Sequence, residues 1–157
     1  MIRPALPLLG GCQCGAIRYE VRARPFTVYA CHCTDCQKRA GAAFCMGMPV
    51  GRESFAVTQG EPLRAVRPMP SGAVTTHNLC AVCHVRTHSE PGRTPAIVNV
   101  RPGTLDDTKW LTPVAQIWTK SAQPWALIPR IVSYEGNPPN FDDMRTAFAE
   151  VWPTGDQ

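Results

Sequence analysis

Apolar and polar residues alternate through Ala16-Ile17-Arg18-Tyr19-Glu20-Val21, the period of two that turns one side of a strand toward a core. Pro25 ends this run, and residues 26–30 read as the next strand. Short runs of apolar and β-favouring residues over 44–50, 74–79, 96–100 and 114–119 predict four more. Residues 34–40 suit a short helix, with Gly41 placed to stop it. Between Gln59 and Ser89 the chain is punctuated by Gly60, Pro62, Pro68, Pro70 and Gly72, so turns are expected to dominate outside 74–79. The period changes at the end. Phe141, Met144, Phe148 and Val151 recur at steps of three and four, which predicts a helix over 141–151 with one apolar face. Asn140 is placed to cap it and Asp143 to complete a capping box. That face is expected to pack on a sheet or on a partner subunit. With 16 prolines and 12 glycines there is little room for long helices. The expected fold is mainly β, with short helical turns and a C-terminal helix. At 157 residues it forms a single domain, 1–157.

Charge adds little. Sixteen Lys and Arg stand against 12 Asp and Glu, a net +4. The basic residues are scattered, without interleaved aromatics, which argues against a nucleic-acid partner and leaves room for an anionic small molecule. No apolar run reaches the roughly 18–20 residues of a membrane span. Residues 1–11 are interrupted by Pro4 and Pro7 and lack the continuous apolar stretch of an export signal. A reducing, cytoplasmic setting is expected, and a homo-oligomer is compatible with the apolar helix face.

The cysteines change the picture. There are eight, and in a reducing compartment spaced cysteines bind metal or do chemistry more often than they pair. Seven fall into three groups: Cys12-Gln13-Cys14, Cys31-His32-Cys33-Thr34-Asp35-Cys36 and Cys80-Ala81-Val82-Cys83. Cys45 stands alone. A C-x-x-C turn aims two thiolates at one metal, and a C-x-C in extended chain presents two sulfurs on one face. Cys12 and Cys14 with Cys80 and Cys83 complete a closed four-thiolate site of structural type. Cys31, Cys33 and Cys36 supply three thiolates and no obvious fourth, as in a catalytic zinc site with an open position. Three thiolates leave Zn²⁺ with a net negative charge. Such a centre suits a thiol substrate bound as thiolate better than the making of hydroxide.

Other readings stand beside these. The cysteines could form a disulfide framework or a redox C-x-x-C, although the βαβ context of a redox motif is missing. The second group could be structural, closed by Cys45 or by a histidine. His77, His84 or His88 could replace a cysteine in the first. His32 is expected on the face opposite its neighbours, packing or hydrogen bonding. Arg18, Arg22 and Arg24 are expected on a solvated face, or lining a site for an anionic substrate.

These groups, in this order, resemble the glutathione-dependent formaldehyde-activating enzyme family. The resemblance is carried by Gly11-Cys12-Gln13-Cys14-Gly15-Ala16-Ile17-Arg18-Tyr19, by Cys31 to Cys36 with Gly41 to Phe44 behind it, and by Cys80 to Cys83. Gly103 to Asp107, Ile117-Trp118 and Pro124-Trp125 extend it to about residues 10–135. It implies a β-tent of antiparallel sheets and two zinc ions: a structural one on Cys12, Cys14, Cys80 and Cys83, and a catalytic one on Cys31, Cys33 and Cys36. It also implies a carbon–sulfur lyase activity run as synthesis, in which glutathione and formaldehyde give S-(hydroxymethyl)glutathione. The expected partners are thus a small-molecule thiol and an aldehyde. Two positions depart from the family pattern: His84 follows Cys83 where relatives carry glycine, and Gln116 precedes Ile117-Trp118 where many carry histidine. A different thiol, aldehyde or imine on the same scaffold is one alternative, and a zinc-stabilised binding module without catalysis is the other.

Overall fold

The computed structural model describes residues 4–68 and 72–152. The turn expected at Pro70 lies outside the described residues. In chain order the strands are β1 (Leu8–Gly11), β2 (Arg18–Val21), β3 (Tyr29–Cys31), β4 (Cys45–Gly51), β5 (Phe55–Gln59), β6 (Leu63–Pro68), β7 (Val74–Leu79), β8 (Arg86–Pro91), β9 (Ile97–Val100), β10 (Ala115–Ile117) and β11 (Val132–Tyr134). Two α-helices, α1 (Thr34–Ala40) and α2 (Asp142–Val151), complete the set, with four short 3₁₀ turns. The fold is mainly β, as the alternation and the proline content predict. The chain divides into two compact units, one formed by 26–47 and 111–157, the other by 2–25 and 48–110.

The first unit carries β3, the start of β4, β10, β11 and both helices. Its ladder runs β11-β10-β3-β4. β3 and β4 pair antiparallel, Cys31 opposite Cys45. β10 runs parallel to both β3 and β11. The expectation of purely antiparallel sheets therefore needs correction at these two pairings. A parallel neighbour requires a long crossover, and β3 and β10 are far apart in the chain. Ala115, Ile117 and Cys31 bury one side of this ladder against Met144 of α2. Only Met144 and Phe148 of the expected helix face are buried, while Phe141 and Val151 remain exposed. The cap position is Phe141, not the expected Asn140, because the helix starts one residue later at Asp142; Asn140 Oδ1 instead accepts from the Asp142 amide at 2.9 Å in the turn that leads into it. Asp143 is not part of a capping box here: it accepts a hydrogen bond from the Tyr134 hydroxyl.

The second unit holds a three-stranded antiparallel sheet, β1-β2-β5, and the ladder from the end of β4 through β9, β8 and β7 to β6. Its fully buried strand side chains include Tyr19, Val21, Met48, Val50, Val98 and Val100, with the polar Asn78 and Thr87 beside them. β6 and β8 occupy stretches where turns were expected. Leu63–Pro68 is largely exposed, and Arg86–Pro91 reads as polar. Neither advertises itself locally, and cross-strand pairing with β7 holds both.

Candidate metal centres

The four-cysteine group is built from two similar turns in the second unit. The chain leaves β1 at Cys12, whose amide donates to the Ile17 carbonyl at 3.0 Å, while the Gly15 amide returns to the Cys12 carbonyl. It leaves β7 at Cys80, whose amide donates to Val85, while the His84 amide returns to the Cys80 carbonyl. Each turn needs one left-handed residue, Gly15 (φ 79°) in the first and His84 (φ 59°) in the second. His84, where the family pattern carries glycine, takes the left-handed conformation that glycine adopts readily. An L side chain in that conformation costs about 1–2 kcal/mol.

The four sulfurs lie within 4.8 Å of one another. Cys12 and Cys14 are 3.5 Å apart, and Cys14 and Cys80 are 3.7 Å apart. Four thiolates around a tetrahedral zinc at about 2.3 Å stand roughly 3.8 Å apart, so the donor set fits such an ion. Backbone amides also point at sulfur: Ile17 at Cys12 (3.2 Å) and Val82 at Cys80 (3.4 Å). Amide donors stabilise the thiolate form that metals require. The Val85 and Cys14 amides, in that order of weight, bring the Cys83 thiol down to about 6.

Among the described residues no histidine joins this group. His77 receives a hydrogen bond from Arg86 (3.1 Å to Nδ1). His88 is buried, with its ring on Phe55 and Nδ1 against the Thr87 hydroxyl. Burial first, then neighbouring arginines, hold both imidazoles near 4. Of the three arginines on the second strand pattern, Arg18 pairs with Asp106 and Arg22 with Glu20.

The three-cysteine group lies in the first unit. Cys31 ends β3, Cys33 is the N-cap of α1, and Cys36 sits in that helix's first turn. The Cys33 sulfur accepts from the Cys36 amide at 3.3 Å, so here a thiol does what serine or aspartate usually does at a helix start. Cys31 and Cys36 donate to it as well, and against the cost of burial these contacts pull the Cys33 thiol down to about 2. Its neighbours move the opposite way: hydrogen bonding to Cys33 leads the rise of Cys31 to about 12, and Cys31 and Cys33 lead the rise of Cys36. Three sulfurs close enough to share one proton load are close enough to share one cation. Among the described residues this group has three members, not four.

Cys45 is not one of the three sulfurs that all converge, but it borders them: its thiol donates to the Cys36 carbonyl at 3.3 Å and touches the Cys36 thiol. His32 is fully buried, with its ring against Phe44 at 5.2 Å between centroids. Desolvation lowers its pKa, and the Gln116 side chain and the Ala43 backbone oppose that shift more weakly. A neutral, enclosed imidazole packs the loop, as expected for the face opposite the cysteines.

Sequence reasoning missed the parts that hold this loop. The Gln37 amide donates to both the His32 carbonyl (2.6 Å) and the Ser121 carbonyl (2.7 Å), and the Ser121 hydroxyl donates to the same His32 oxygen. These bonds tie the loop to residues 118–121. There Trp118 takes a left-handed conformation (φ 60°), with its indole N–H on Asn137. The Ile117-Trp118 pair was the only sequence signal for this segment. Gln116 is buried, and its amide bridges the Ile128 backbone at both ends, Ser133 and the His32 ring. That geometry makes it a structural bridge.

A crystal structure of a Rhodobacter sphaeroides protein is similar in fold, with a TM-score of 0.52 at 19% identity over 81% of this chain and 99% of that one. The model of one family matches residues 7–121, a span that contains all eight cysteines and the Ile117-Trp118 pair. With two cysteine groups arranged to take metal inside that span, the chain belongs to the glutathione-dependent formaldehyde-activating enzyme family.

Proposed function

We propose that this protein is a zinc-dependent carbon–sulfur lyase that adds a thiol to a small aldehyde, or reverses that addition, with glutathione and formaldehyde as the first pair to try. The observation that carries the reading is the unequal division of the cysteines, four in one cluster and three in the other. A closed set of four suits a structural ion, and three leave a position for a ligand from solution. When bound by Cys31, Cys33 and Cys36, zinc supplies a site at which a thiol is held as thiolate at neutral pH.

The chain's own contribution is positional. The Cys36 amide, aimed at the Cys33 sulfur, favours its ionised form. Gln37 and Ser121 fix the carbonyl between Cys31 and Cys33, so the three sulfurs keep their mutual placement. The reaction balances without a redox partner. The sulfur lone pair forms the C–S bond, the carbonyl π pair moves to oxygen, and the proton lost by the thiol ends on that oxygen. His32 is enclosed, so solvent relays that proton from the thiol to the oxygen in this reading. Thiolate centres of this kind persist in a reducing compartment, and the cytoplasm is the setting proposed for the protein.

The test is a screen of thiols and aldehydes followed by product mass, together with zinc content. Wild type is expected to hold two zincs and to form S-(hydroxymethyl)glutathione. Cys36→Ala is expected to hold one and to form none. A Cys36→Ala protein with two zincs and full turnover would falsify the assignment.

A further inference from the structure

Cys45 is the one cysteine that the proposed function leaves without a task. It opens β4 directly opposite Cys31, the last residue of β3, so the two side chains leave the same face of the ladder. It is buried. Its thiol reaches the Cys36 carbonyl at 3.3 Å and also touches the Cys36 thiol, yet its sulfur lies outside the set of three that all converge.

We propose that Cys45 is a positioning residue for the three-cysteine centre: its thiol anchors the first turn of α1 at the Cys36 carbonyl, and so fixes the third sulfur while the fourth position stays free for a substrate thiol. The inference rests on the metal reading of that centre. Its physical basis is local. Cys31 is fixed by β3 and Cys33 by its place at the helix cap, but Cys36 lies within a helix of seven residues with no buried side chain. Gln37 ties this helix to the His32 and Ser121 carbonyls and Cys36 packs partly on the core beside Ile117, but these are side-chain contacts and none of them holds the Cys36 carbonyl. The carbonyl of Cys36 has a second lone pair beyond the one used inside the helix, and the Cys45 thiol, rooted in the ladder, takes it. The contact makes the strand the reference against which the third ligand is placed. Hydrogen bonds of this kind, made by residues that do not touch the ion, orient metal ligands and support their affinity.

The test compares full-length wild type, Cys45→Ala and Cys45→Ser by competition for zinc with a chromophoric chelator, and by the thiolate-to-metal charge-transfer bands of the cobalt(II) forms. Cys45→Ala is expected to weaken the three-cysteine centre by about 10–100-fold, the usual consequence of losing such a contact. The four-cysteine centre, measured in the same titration, should keep its affinity. Cys45→Ser keeps a donor at the same place and is expected to restore most of the loss. At saturating cobalt the charge-transfer intensity should be equal in all three proteins. An intensity lower by one thiolate in Cys45→Ala would make Cys45 a ligand and overturn the proposal, as would unchanged affinity in that variant. Wild type that binds two zincs and turns over, beside an unaffected Cys45→Ala, sinks this inference alone; wild type with no metal at the three-cysteine centre sinks the proposed function with it.

Discussion

The two centres should differ in what they contribute to stability, because they close loops of very different length. Cys14 and Cys80 are 66 residues apart, whereas Cys31, Cys33 and Cys36 belong to one short segment. In the chain-entropy treatment of a cross-link, closing a loop of that first size restricts the unfolded chain by about 4 kcal/mol, and closing a loop of about five residues by about 2 kcal/mol. The cleanest perturbation removes one ligand from each turn of the four-cysteine centre at sites with little packing. Cys14 is exposed and Cys83 half-buried, so Cys14→Ser/Cys83→Ser deletes the cross-link while sparing the buried Cys12 and Cys80. The matching control is Cys33→Ser/Cys36→Ser, in which serine can still cap α1. Both doubles are expected to lose one zinc by mass spectrometry of the native protein. In thermal unfolding followed by circular dichroism, the first should fall by roughly 8–16 °C and the second by about half as much, at about 2–4 °C per kcal/mol for a chain of this size. Equal losses, or a larger one for Cys33→Ser/Cys36→Ser, would refute the reasoning, since loop length would then not be what separates the centres.

Three further outcomes follow from particular residues. His84→Gly should raise the melting temperature by relieving a left-handed conformation worth about 1 kcal/mol, and His84→Val should lower it; thermal melts at fixed zinc decide. His77 and His88 are held near 4 in the folded protein against about 6.5 when unfolded, so the unfolded state binds more protons between those values. Their contribution is complete above pH 6.5, declines as pH falls through the window, and is lost below about 4. The slope is up to about 1.4 kcal/mol per pH unit for each. His88→Leu should flatten the pH dependence of urea unfolding relative to wild type, and an unchanged slope would contradict the assignment. Gln116→Ala strips the Ile128 amide and carbonyl of their partners and should cost about 1–3 kcal/mol while both zincs remain; loss of zinc or of turnover without loss of stability would give Gln116 a chemical role instead.

Several features were legible before any folding was considered, because they are written in contiguous residues. The bounds of α1 and β7 coincide with the expected 34–40 and 74–79, since a cap, a stop glycine and short-range alternation are local signals. The pairs Cys12/Cys14 and Cys80/Cys83 and the triplet Cys31/Cys33/Cys36 follow likewise from C-x-C and C-x-x-C spacing, whereas the meeting of the two pairs, 66 residues apart, needs the fold. The left-handed backbone at His84 belongs here too, as the family pattern marked that position for glycine.

Tertiary structure decided the rest. β8 buries Thr87, His88 and Ser89, polar residues that no hydropathy pattern would place inside. Cross-strand pairing satisfies their backbone, and the fold gives the His88 ring an aromatic neighbour in Phe55. β10 lies parallel to β3 because residues distant in the chain meet there, a choice that neither segment encodes alone. The same long-range pairing sets Cys45 opposite Cys31 and turns Gln116 toward Ile128. Sequence thus named the clustered cysteines, whose short spacings are local. The surroundings that leave one centre with four sulfurs and the other with three exist only once the strands have paired.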